Sequence, residues 1–346
     1  MKITIVGAGA IGGVIGAYLV KGGQDVTFVD IAVDHVKKMN EQGLTIKGTE
    51  TFTVPVKAYT AAEFVKRDEE LELVFLCVKA QHTRDAVRSF KHMLTKNSMV
   101  VSFQNGLCEQ EIADEIGEEQ TIGCFVNLFA DYLESGTISY GGIGSVYIGE
   151  LHGEISPRVE KIVSILASWG NARATDNLSG YIWGKLSYGA ILTATALTNE
   201  TIADVLDNRQ NRAMLMDLAS EILEVAKEKK IKPMGFDDWE PGLAFPPEAR
   251  NWDELHAQLD KLVSRLRTYS KTRSGIWRDL AVRKRKTEVP SHLTPIIAEG
   301  KSYGIDMRLT EATLSMIIEI EEGKRELSIE NLELLHSIHE ANLARN

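Results

Sequence analysis

The chain has 346 residues, 44% of them hydrophobic and 25% charged, which is the composition of a folded protein large enough for two domains. Its formal net charge of −10 argues against general binding to nucleic acid or to membrane surfaces. The three cysteines lack metal-ligand spacing, no apolar run reaches the ~18 residues of a membrane span, and glycines interrupt any signal-peptide pattern at the start. We therefore expect a cytoplasmic protein with no metal site and no membrane segment.

A dinucleotide-binding unit is predicted at the start of the chain. The apolar, β-branched run at residues 1–6 predicts a strand, and the glycine motif GAGAIGG follows it at residues 7–13. Residues 14–21 have helical character, and residues 25–30 predict a second strand that ends in an acid. A glycine motif alone is also typical of a turn that binds nothing. A strand, motif, helix, strand and terminal acid in this order favour a cofactor site.

The glycines of this motif have separate roles in dinucleotide binding. Gly7 permits the tight turn out of the strand, Gly9 lets the backbone approach a pyrophosphate, and Gly12 lets the helix pack on the strand. Ala10 and Ile11 stand at the start of the helix, whose free N–H groups and positive dipole end attract phosphates. We predict that these five residues bind the cofactor.

Asp30 carries the information on which cofactor is bound. It lies 18 residues after Gly12, close to the expected place of a carboxylate that accepts hydrogen bonds from the ribose hydroxyls. A carboxylate there binds the 2′-hydroxyl of NAD and repels the 2′-phosphate of NADP. Residues 31–33 supply no Arg or Lys that would neutralise that phosphate. NAD is therefore favoured, and NADP is the alternative.

The rest of the first half alternates strands and helices. Unbroken apolar runs at 73–78, 99–103 and 121–125 predict buried parallel strands. A helix is predicted from the end of the second strand to Glu41, short strands at 44–47 and 51–54, and hairpin strands at 138–148. We interpret residues 1–175 as a Rossmann-type domain of the α/β class, a doubly wound sheet with an antiparallel extension.

The second half has helical periodicity, and we predict an all-helical substrate and catalytic domain over residues 176–346. Helices are predicted at 215–227, 252–268, 293–303, 311–321 and 329–343. Residues 232–252 interrupt the pattern with four prolines and two tryptophans, and either a packed surface loop or a lid or dimer contact fits them. The basic run at 283–286 is interpreted as a solvated helix face.

Four polar residues are candidates for the chemistry. Ligands of open α/β sheets bind beyond the carboxyl ends of the strands, where Lys79 and Asn105 are predicted to lie. Lys185 occurs early in an apolar helix, and Glu288 follows the basic run. Each of these residues also has an ordinary structural interpretation that involves no ligand. Asn105 with Gly106 is also an ordinary turn, Lys79 could cap a strand end, and a lone Lys or Glu is usually a solvated surface charge.

The order and spacing of several motifs resemble those of the ketopantoate reductase (2-dehydropantoate 2-reductase) family. They are GAGAIGG, Val78-Lys79-Ala80, Gln104-Asn105-Gly106, Trp183-Gly184-Lys185-Leu186 and Arg285-Lys286-Thr287-Glu288. The resemblance extends over nearly the whole chain. It implies a Rossmann domain followed by a helical domain related to that of 6-phosphogluconate dehydrogenase. It also implies reduction of a 2-keto acid, usually with NADPH, in a cleft between the domains.

The resemblance assigns a role to each of the four polar candidates. Lys185 matches the catalytic lysine, and Glu288 matches the carboxylate that helps hold substrate and cofactor. Asn105 matches the asparagine beside the nicotinamide ribose, and Lys79 matches the lysine near the cofactor. The chemistry agrees, because the alkoxide left by hydride transfer needs a proton and a nearby positive charge, which an ammonium group supplies. The nicotinamide carries the redox chemistry, so no metal is needed.

The chain departs from the family on the helix that carries the lysine. Gly189 and Thr193 stand where the family usually has asparagines that hold the substrate, four and eight residues after Lys185. These spacings keep all three residues on one helix face. Because Gly189 offers no side chain, the expected pocket is roomier and less polar, which favours a bulkier substrate than ketopantoate.

A second departure lies upstream of Glu288. The family serine appears here as Gly275, with Ser274 beside it as a candidate substrate-binding residue, and one extra residue precedes Glu288. The substrate carboxylate needs a cation or N–H groups, and Arg278 and Arg283 are candidates.

The sequence thus predicts an NAD(P)-dependent oxidoreductase that interconverts a hydroxy acid, or a related alcohol, and its keto form, with NAD favoured. One alternative is the NADPH-dependent 2-dehydropantoate 2-reductase of pantothenate biosynthesis. Another is an NAD-binding redox sensor without turnover, which the lysine–glutamate pair disfavours because a sensor needs no proton donor. We expect a homodimer.

Overall fold

The computed structural model describes residues 1–269 and 271–344. The chain divides into two compact units, Met1–Leu178 and Ser179–Asn346, where the sequence placed the division after residue 175. In the described residues, no helix combines the length and the apolar character that crossing a membrane requires.

Within the described part of the chain, the first unit is built on one ten-stranded mixed sheet. Its strands are β1 (Ile3–Val6), β2 (Val26–Asp30), β3 (Leu44–Gly48), β4 (Phe52–Val54), β5 (Lys57–Thr60), β6 (Leu71–Leu76), β7 (Leu94–Ser102), β8 (Thr121–Glu134), β9 (Thr137–Gly149) and β10 (Ala172–Ala174). The order is β4-β3-β9-β8-β7-β6-β1-β2-β5, and β10 pairs with β9. The strands from β8 to β5 in this order are parallel.

Helices cover both faces of this sheet. They are α1 (Ala10–Lys21), α2 (Val33–Gln42), α3 (Ala61–Phe64), α4 (Thr83–Phe90), α5 (Glu109–Ile116) and α6 (Pro157–Leu166). Along β6, Leu73 and Phe75 belong to one buried apolar cluster, and Val74 and Leu76 belong to a second. Successive side chains of a strand point to opposite faces, so both faces are buried. The predicted doubly wound α/β fold is confirmed.

The antiparallel extension is longer than the sequence indicated. Strands β8 and β9 form one long hairpin that turns between Glu134 and Thr137. The sequence predicted only residues 121–125 and 138–148 of it, because polar and glycine residues dilute the apolar alternation beyond those runs. Strands β5 and β10 were not predicted. Both are short and pair at the margins of the sheet, where little apolar burial marks the sequence.

Helices make up most of the second unit in its described residues. Its helices are α7 (Leu178–Thr195), α8 (Ile202–Asp207), α9 (Arg209–Glu228), α10 (Pro241–Ala244), α11 (Trp252–Leu266), α12 (Gly275–Trp277), α13 (Val289–Ser302), α14 (Arg308–Glu321) and α15 (Glu330–Leu343). Helix α9 lies at the centre and packs against α8, α10, α13, α14 and α15. The five helices predicted here are confirmed, with ends that differ by a few residues.

The interpretation of the basic run 283–286 as a helix face is wrong. The run lies in an irregular segment that follows a π-helical turn at Arg278–Val282. The cause is Asp279, a buried carboxylate whose Oδ1 accepts hydrogen bonds from Arg283 Nη1 at 3.0 Å and from Arg285 Nε at 2.9 Å. These two charge-assisted hydrogen bonds to Asp279 stabilise a non-helical conformation of residues 283–286.

Candidate active site

The glycine loop of the first unit leaves the carboxyl end of β1 in a conformation that requires glycine. Gly7 has φ of +98°, and a Cβ built on it would lie 2.8 Å from the carbonyl carbon of Cys77 and from the nitrogen of Val78. A Cβ on Gly12 would lie 2.0 Å from the carbonyl oxygen of Gly7 and 2.8 Å from Ile5 Cγ2. These two glycines therefore let the loop cross the end of β6 and let α1 pack against β1.

The start of α1 fits a pyrophosphate. Gly9 is the N-cap, and Ala10 and Ile11 form the half-buried first turn. The first intrahelical bond runs from Gly13 N to Gly9 O at 2.8 Å, so the preceding N–H groups point out of the helix. Among the described residues, no side chain caps this end, and no atom lies within 4 Å of a Cβ built on Gly9. The N–H groups and the open space suit an anionic ligand.

Asp30 ends β2 and is fixed beside this loop. Its Oδ2 accepts the Ala8 N–H at 2.8 Å, and its Oδ1 accepts the Ala32 N–H at 2.9 Å. Each carboxylate oxygen can accept a further hydrogen bond, so the group can also receive ribose hydroxyls. The two backbone bonds hold the carboxylate in place before any ligand arrives.

His35 is a residue of this site that the sequence reasoning missed. Its ring is 1% exposed, and its Nδ1 accepts the Gly136 N–H at 2.9 Å. The proton therefore sits on Nε2, which donates to the carbonyl oxygen of Ala8 at 2.9 Å. Asp30 binds the N–H of Ala8 and His35 binds its carbonyl oxygen, so the two side chains hold the two peptide groups that flank the Ala8 Cα. No sequence signal marked it, because its partner Gly136 is 101 residues away.

Lys79 and Asn105 follow the neighbouring strands β6 and β7 at the same edge of the sheet. Gln104 joins the two strand ends, because its Nε2 donates to the carbonyl oxygen of Val78 at 2.9 Å and to Thr83 Oγ1 at 2.8 Å. Lys79 and Asn105 are both half-buried. The cofactor-binding residues that were predicted in the first unit thus lie on adjacent parallel strand ends, β7-β6-β1-β2, and in the loop after β1.

Burial raises the pKa of Glu109, at the start of α5, to about 7. Its side chain is 8% exposed, and a hydrogen bond with Ser102 at the end of β7 partly opposes the shift. A carboxyl group that titrates near neutrality therefore lies beneath the strand edge that carries Asn105.

In the second unit, Lys185 lies near the middle of α7 and is half-buried. Lys185, Gly189 and Thr193 follow one another at intervals of four residues, and we call them the Lys185 stripe. Helix α7 is unbroken over this range, so the three residues share one face. Thr193 is buried, and its Oγ1 donates to the carbonyl oxygen of Gly189 at 2.8 Å. Within the described residues, no atom lies within 4 Å of a Cβ built on Gly189.

Two glycines of α7 have opposite surroundings, and they make a matched pair for mutation. A Cβ on Gly184 would lie 2.2 Å from the carbonyl oxygen of Met234, whereas a Cβ on Gly189 enters open space. We expect Gly189→Ala to raise the free energy of unfolding by about 0.5–1 kcal/mol, because alanine is the better helix former. Gly184→Ala should lower it by about 1–3 kcal/mol through overpacking. Urea unfolding of both variants measures this, and destabilisation by Gly189→Ala would contradict the open space.

Glu288 and Ser274 belong to the segment between α11 and α13. Thr287 fixes the start of α13, because its N–H and its Oγ1 both donate to Glu321 Oε1, at 2.8 and 2.7 Å. Glu288 directly follows this anchor and is half-buried. Ser274 is buried and serves as the N-cap of α12, since its Oγ accepts the Trp277 N–H at 3.2 Å.

A π-helical turn lies between Ser274 and Glu288, in the stretch where the resemblance implied one extra residue. The Arg283 N–H donates to the carbonyl oxygen of Arg278, five residues earlier, at 2.9 Å. A π-turn inserts one residue into a helix and is frequent at functional sites. The pKa values of Arg278 and Lys271 are both lowered, mainly by burial and to a smaller extent by the positive charge of Arg283. Three basic side chains, Lys271, Arg278 and Arg283, therefore lie in this segment together with the buried acid Asp279.

Comparison with known proteins decides the family. Residues 3–153 match the family described as "Ketopantoate reductase PanE/ApbA", and residues 177–321 match "Ketopantoate reductase PanE/ApbA C terminal". The chain belongs to the ketopantoate reductase family. The resemblance inferred from the motifs is thus confirmed. Family membership makes the chain an NAD(P)-dependent oxidoreductase that acts on the CH–OH group of a hydroxy acid.

Two relatives illustrate how much of the chain is matched. The chain is 25% identical over 324 residues to a 2-dehydropantoate 2-reductase of Archaeoglobus fulgidus, covering 93% of this chain and 98% of the relative. A 2-dehydropantoate 2-reductase of Pyrococcus horikoshii is 30% identical over 234 residues, covering 67% and 75%.

Solved structures share the fold at lower identity. D-mandelate dehydrogenase in a ternary structure with NADH and anilino(oxo)acetate has a TM-score of 0.79 at 21% identity, and the match covers 94% of this chain and 99% of that one. 2-Dehydropantoate 2-reductase from Geobacter metallireducens GS-15 has a TM-score of 0.78 at 22% identity, with coverage of 92% and 99%.

Proposed function

We propose that the protein is an NAD-linked dehydrogenase of a 2-hydroxy acid with a bulky substituent at C2. The open space at Gly189, one helical turn beyond Lys185, is the observation that carries this proposal. Ketopantoate, the substrate implied by the family name, carries a polar hydroxylated chain. A position without a side chain offers that chain no hydrogen bond and leaves room for a larger apolar group.

Lys185 is proposed as the general acid and base. In the oxidation direction the neutral amine takes the proton of the substrate hydroxyl, and in the reduction direction the ammonium group returns it to the developing alkoxide. Its positive charge then also stabilises the alkoxide. Glu288 either orients the lysine or accepts a hydrogen bond from the substrate hydroxyl. A bound nicotinamide supplies the acceptor for the hydride that leaves C2.

NAD is the proposed cofactor, because the carboxylate of Asp30 stands fixed at the end of β2. The pyrophosphate would be held by the N–H groups of Ala10, Ile11 and Gly12, with Gly7 and Gly9 shaping the loop. Lys79 and Asn105 would contact the nicotinamide half of the cofactor.

The substrate carboxylate is proposed to bind near the π-helical turn. The side chains of Lys271 and Arg278 each interact with that of Arg283 there, Arg283 is also bonded to the carboxylate of Asp279, and Ser274 lies in the same segment. Guanidinium groups match the planar geometry of a carboxylate. One solved relative of the same fold, D-mandelate dehydrogenase, acts by its name on an aromatic 2-hydroxy acid, which agrees with a bulky C2 group.

The test is a substrate series with each cofactor. Both enantiomers of lactate, 2-hydroxyisovalerate and mandelate are offered with NAD, and ketopantoate is offered with NADH and NADPH, while the absorbance of the reduced cofactor is followed. We expect kcat/KM to rise with the size of the C2 group and to be higher with NAD. Efficient reduction of ketopantoate by NADPH would favour the biosynthetic alternative. Tight NAD binding with no turnover on any compound would favour the sensor. The homodimer and the cytoplasmic location stay predictions.

A further inference from the structure

Residues 234–239, which we call the Trp239 strap, form a tight turn in the proline- and tryptophan-rich segment. Phe236 and Trp239 exchange both backbone bonds, at 2.9 Å from Phe236 N to Trp239 O and 2.7 Å in the other direction. The two central residues, Asp237 and Asp238, have φ of 44° and 65°. Positive φ at both positions is the signature of a type I′ turn, which aspartate tolerates. The turn fixes the direction in which Trp239 leaves the backbone.

Trp239 points into the second unit and contacts α7. Its side chain is 2% exposed, and its Nε1–H donates to the carbonyl oxygen of Gly184 and to Ser187 Oγ, both at 3.1 Å. Ser187 Oγ–H in turn donates to Gly184 O at 2.7 Å, which leaves a lone pair for the indole. The ring also packs against Tyr188, with 5.6 Å between ring centroids. The bonds engage the residue before Lys185 and the residue two positions after it.

The strap is anchored at both ends. At one end, the Met234 N–H donates to the carbonyl oxygen of Gly180, one turn before Gly184, at 2.9 Å. At the other, Asp238 forms ion pairs with Lys261 at 2.7 Å and Arg265 at 2.5 Å, both on α11. The strap therefore joins α7 to α11 and is a packed element.

The strap and the Lys185 stripe occupy opposite sides of α7. At 3.6 residues per turn, Gly180, Gly184 and Ser187 face one side, and the stripe faces the other. The first set is buried, whereas in the stripe Lys185 and Gly189 are half-buried and only Thr193 is buried. The strap thus supports the back of the helix and leaves the lysine side accessible.

We propose that Trp239 is a positioning residue for Lys185. Its two hydrogen bonds fix the rotation of the helical turn from Gly184 to Tyr188, and with it the Cα–Cβ direction of the lysine. Displacements of about 1 Å at a catalytic group reduce rates markedly, so a fixed backbone is needed there. This inference rests on the proposed catalytic role of Lys185.

The test removes the indole N–H and keeps an aromatic ring. With the full chain, we expect Trp239→Phe to lower kcat about tenfold, to leave the Kd for NADH unchanged, and to shift the pH midpoint of kcat. Amide hydrogen exchange of residues 184–189 should also quicken. Trp252→Phe is the matched control, because Trp252 lies at the end of the same segment, 37% exposed, against Arg250 and His256. Should Trp239→Phe fold poorly, Ser187→Ala removes one of the two acceptors with a smaller expected loss of kcat.

Double mutants separate this inference from the proposed function. If Trp239 acts through Lys185, adding Trp239→Phe to Lys185→Ala causes no further loss of kcat. An equal loss in both backgrounds, or a lower melting temperature with kcat within about twofold of the parent chain, overturns the positioning role. If Lys185→Ala alone keeps the parental kcat, the proposed function itself fails, whatever Trp239→Phe does.

Discussion

Lys185→Ala lowers kcat by about 10²–10⁴-fold, because this is the usual contribution of a side chain that transfers a proton in the transition state. The measurement is steady-state oxidation of the best 2-hydroxy acid of the substrate series with NAD. We expect the Kd for NADH to change little, because Lys185 is not among the predicted cofactor-binding residues. A loss of kcat at nearly constant cofactor affinity is the mark of a group that acts in the chemical step.

Two controls sharpen this result. Lys227→Ala removes an exposed lysine of α9 in the same unit and should leave kcat unchanged. Addition of methylamine to Lys185→Ala should restore part of the activity, because a small amine can transfer the proton in place of the missing side chain. A loss of kcat under tenfold, or no rescue at any amine concentration, would remove Lys185 as the proton donor.

We expect Asp30→Asn to lower the ratio of the Kd for NADPH to the Kd for NADH at least tenfold, which corresponds to about 1.4 kcal/mol of binding free energy. The carboxylate of Asp30 is fixed by the N–H groups of Ala8 and Ala32, so it cannot turn away from a 2′-phosphate. Repulsion between two charges at close range near a protein surface is of this size or larger. The amide lacks the charge and therefore tolerates the phosphate. Fluorescence titration with both reduced cofactors measures the two Kd values.

The matched control is Asp34→Asn, which makes the same change at an exposed acid in the first turn of α2. We expect this variant to bind NADH and NADPH with unchanged Kd values. The melting temperature of Asp30→Asn is measured in parallel, because the variant also weakens the bonds that hold the glycine loop. Tighter binding of NADPH than of NADH by the unaltered chain would refute the role given to Asp30.

Local spacing was sufficient to predict the cofactor loop. The conformation of Gly7 and the contacts of a Cβ on Gly12 follow from a strand that turns at once into a helix, and every residue of this turn lies within a few positions in sequence. Helical periodicity likewise predicted the main helices of the second unit. The stripe of Lys185, Gly189 and Thr193 needed only an unbroken helix.

Long-range partners explain what the sequence did not predict. The basic run was interpreted as a helix face, but Asp279 binds Arg283 and Arg285 and directs the segment otherwise. For residues 232–252 the sequence did not decide between a packed surface loop and a lid or dimer contact. The contacts of Trp239 with α7 are made with residues 52 and 55 positions away.

The sequence by itself determined the main strands and helices, the cofactor motif and the family, because apolar periodicity and short motifs depend on neighbours in the chain. The tertiary structure decided which groups hold those motifs in place. His35 accepts the N–H of Gly136 and donates to the carbonyl oxygen of Ala8. Trp239 donates to the carbonyl oxygen of Gly184 in the helical turn that carries Lys185. The donors and acceptors of these buried hydrogen bonds come from distant parts of the chain. A local sequence pattern therefore cannot predict which of them will pair.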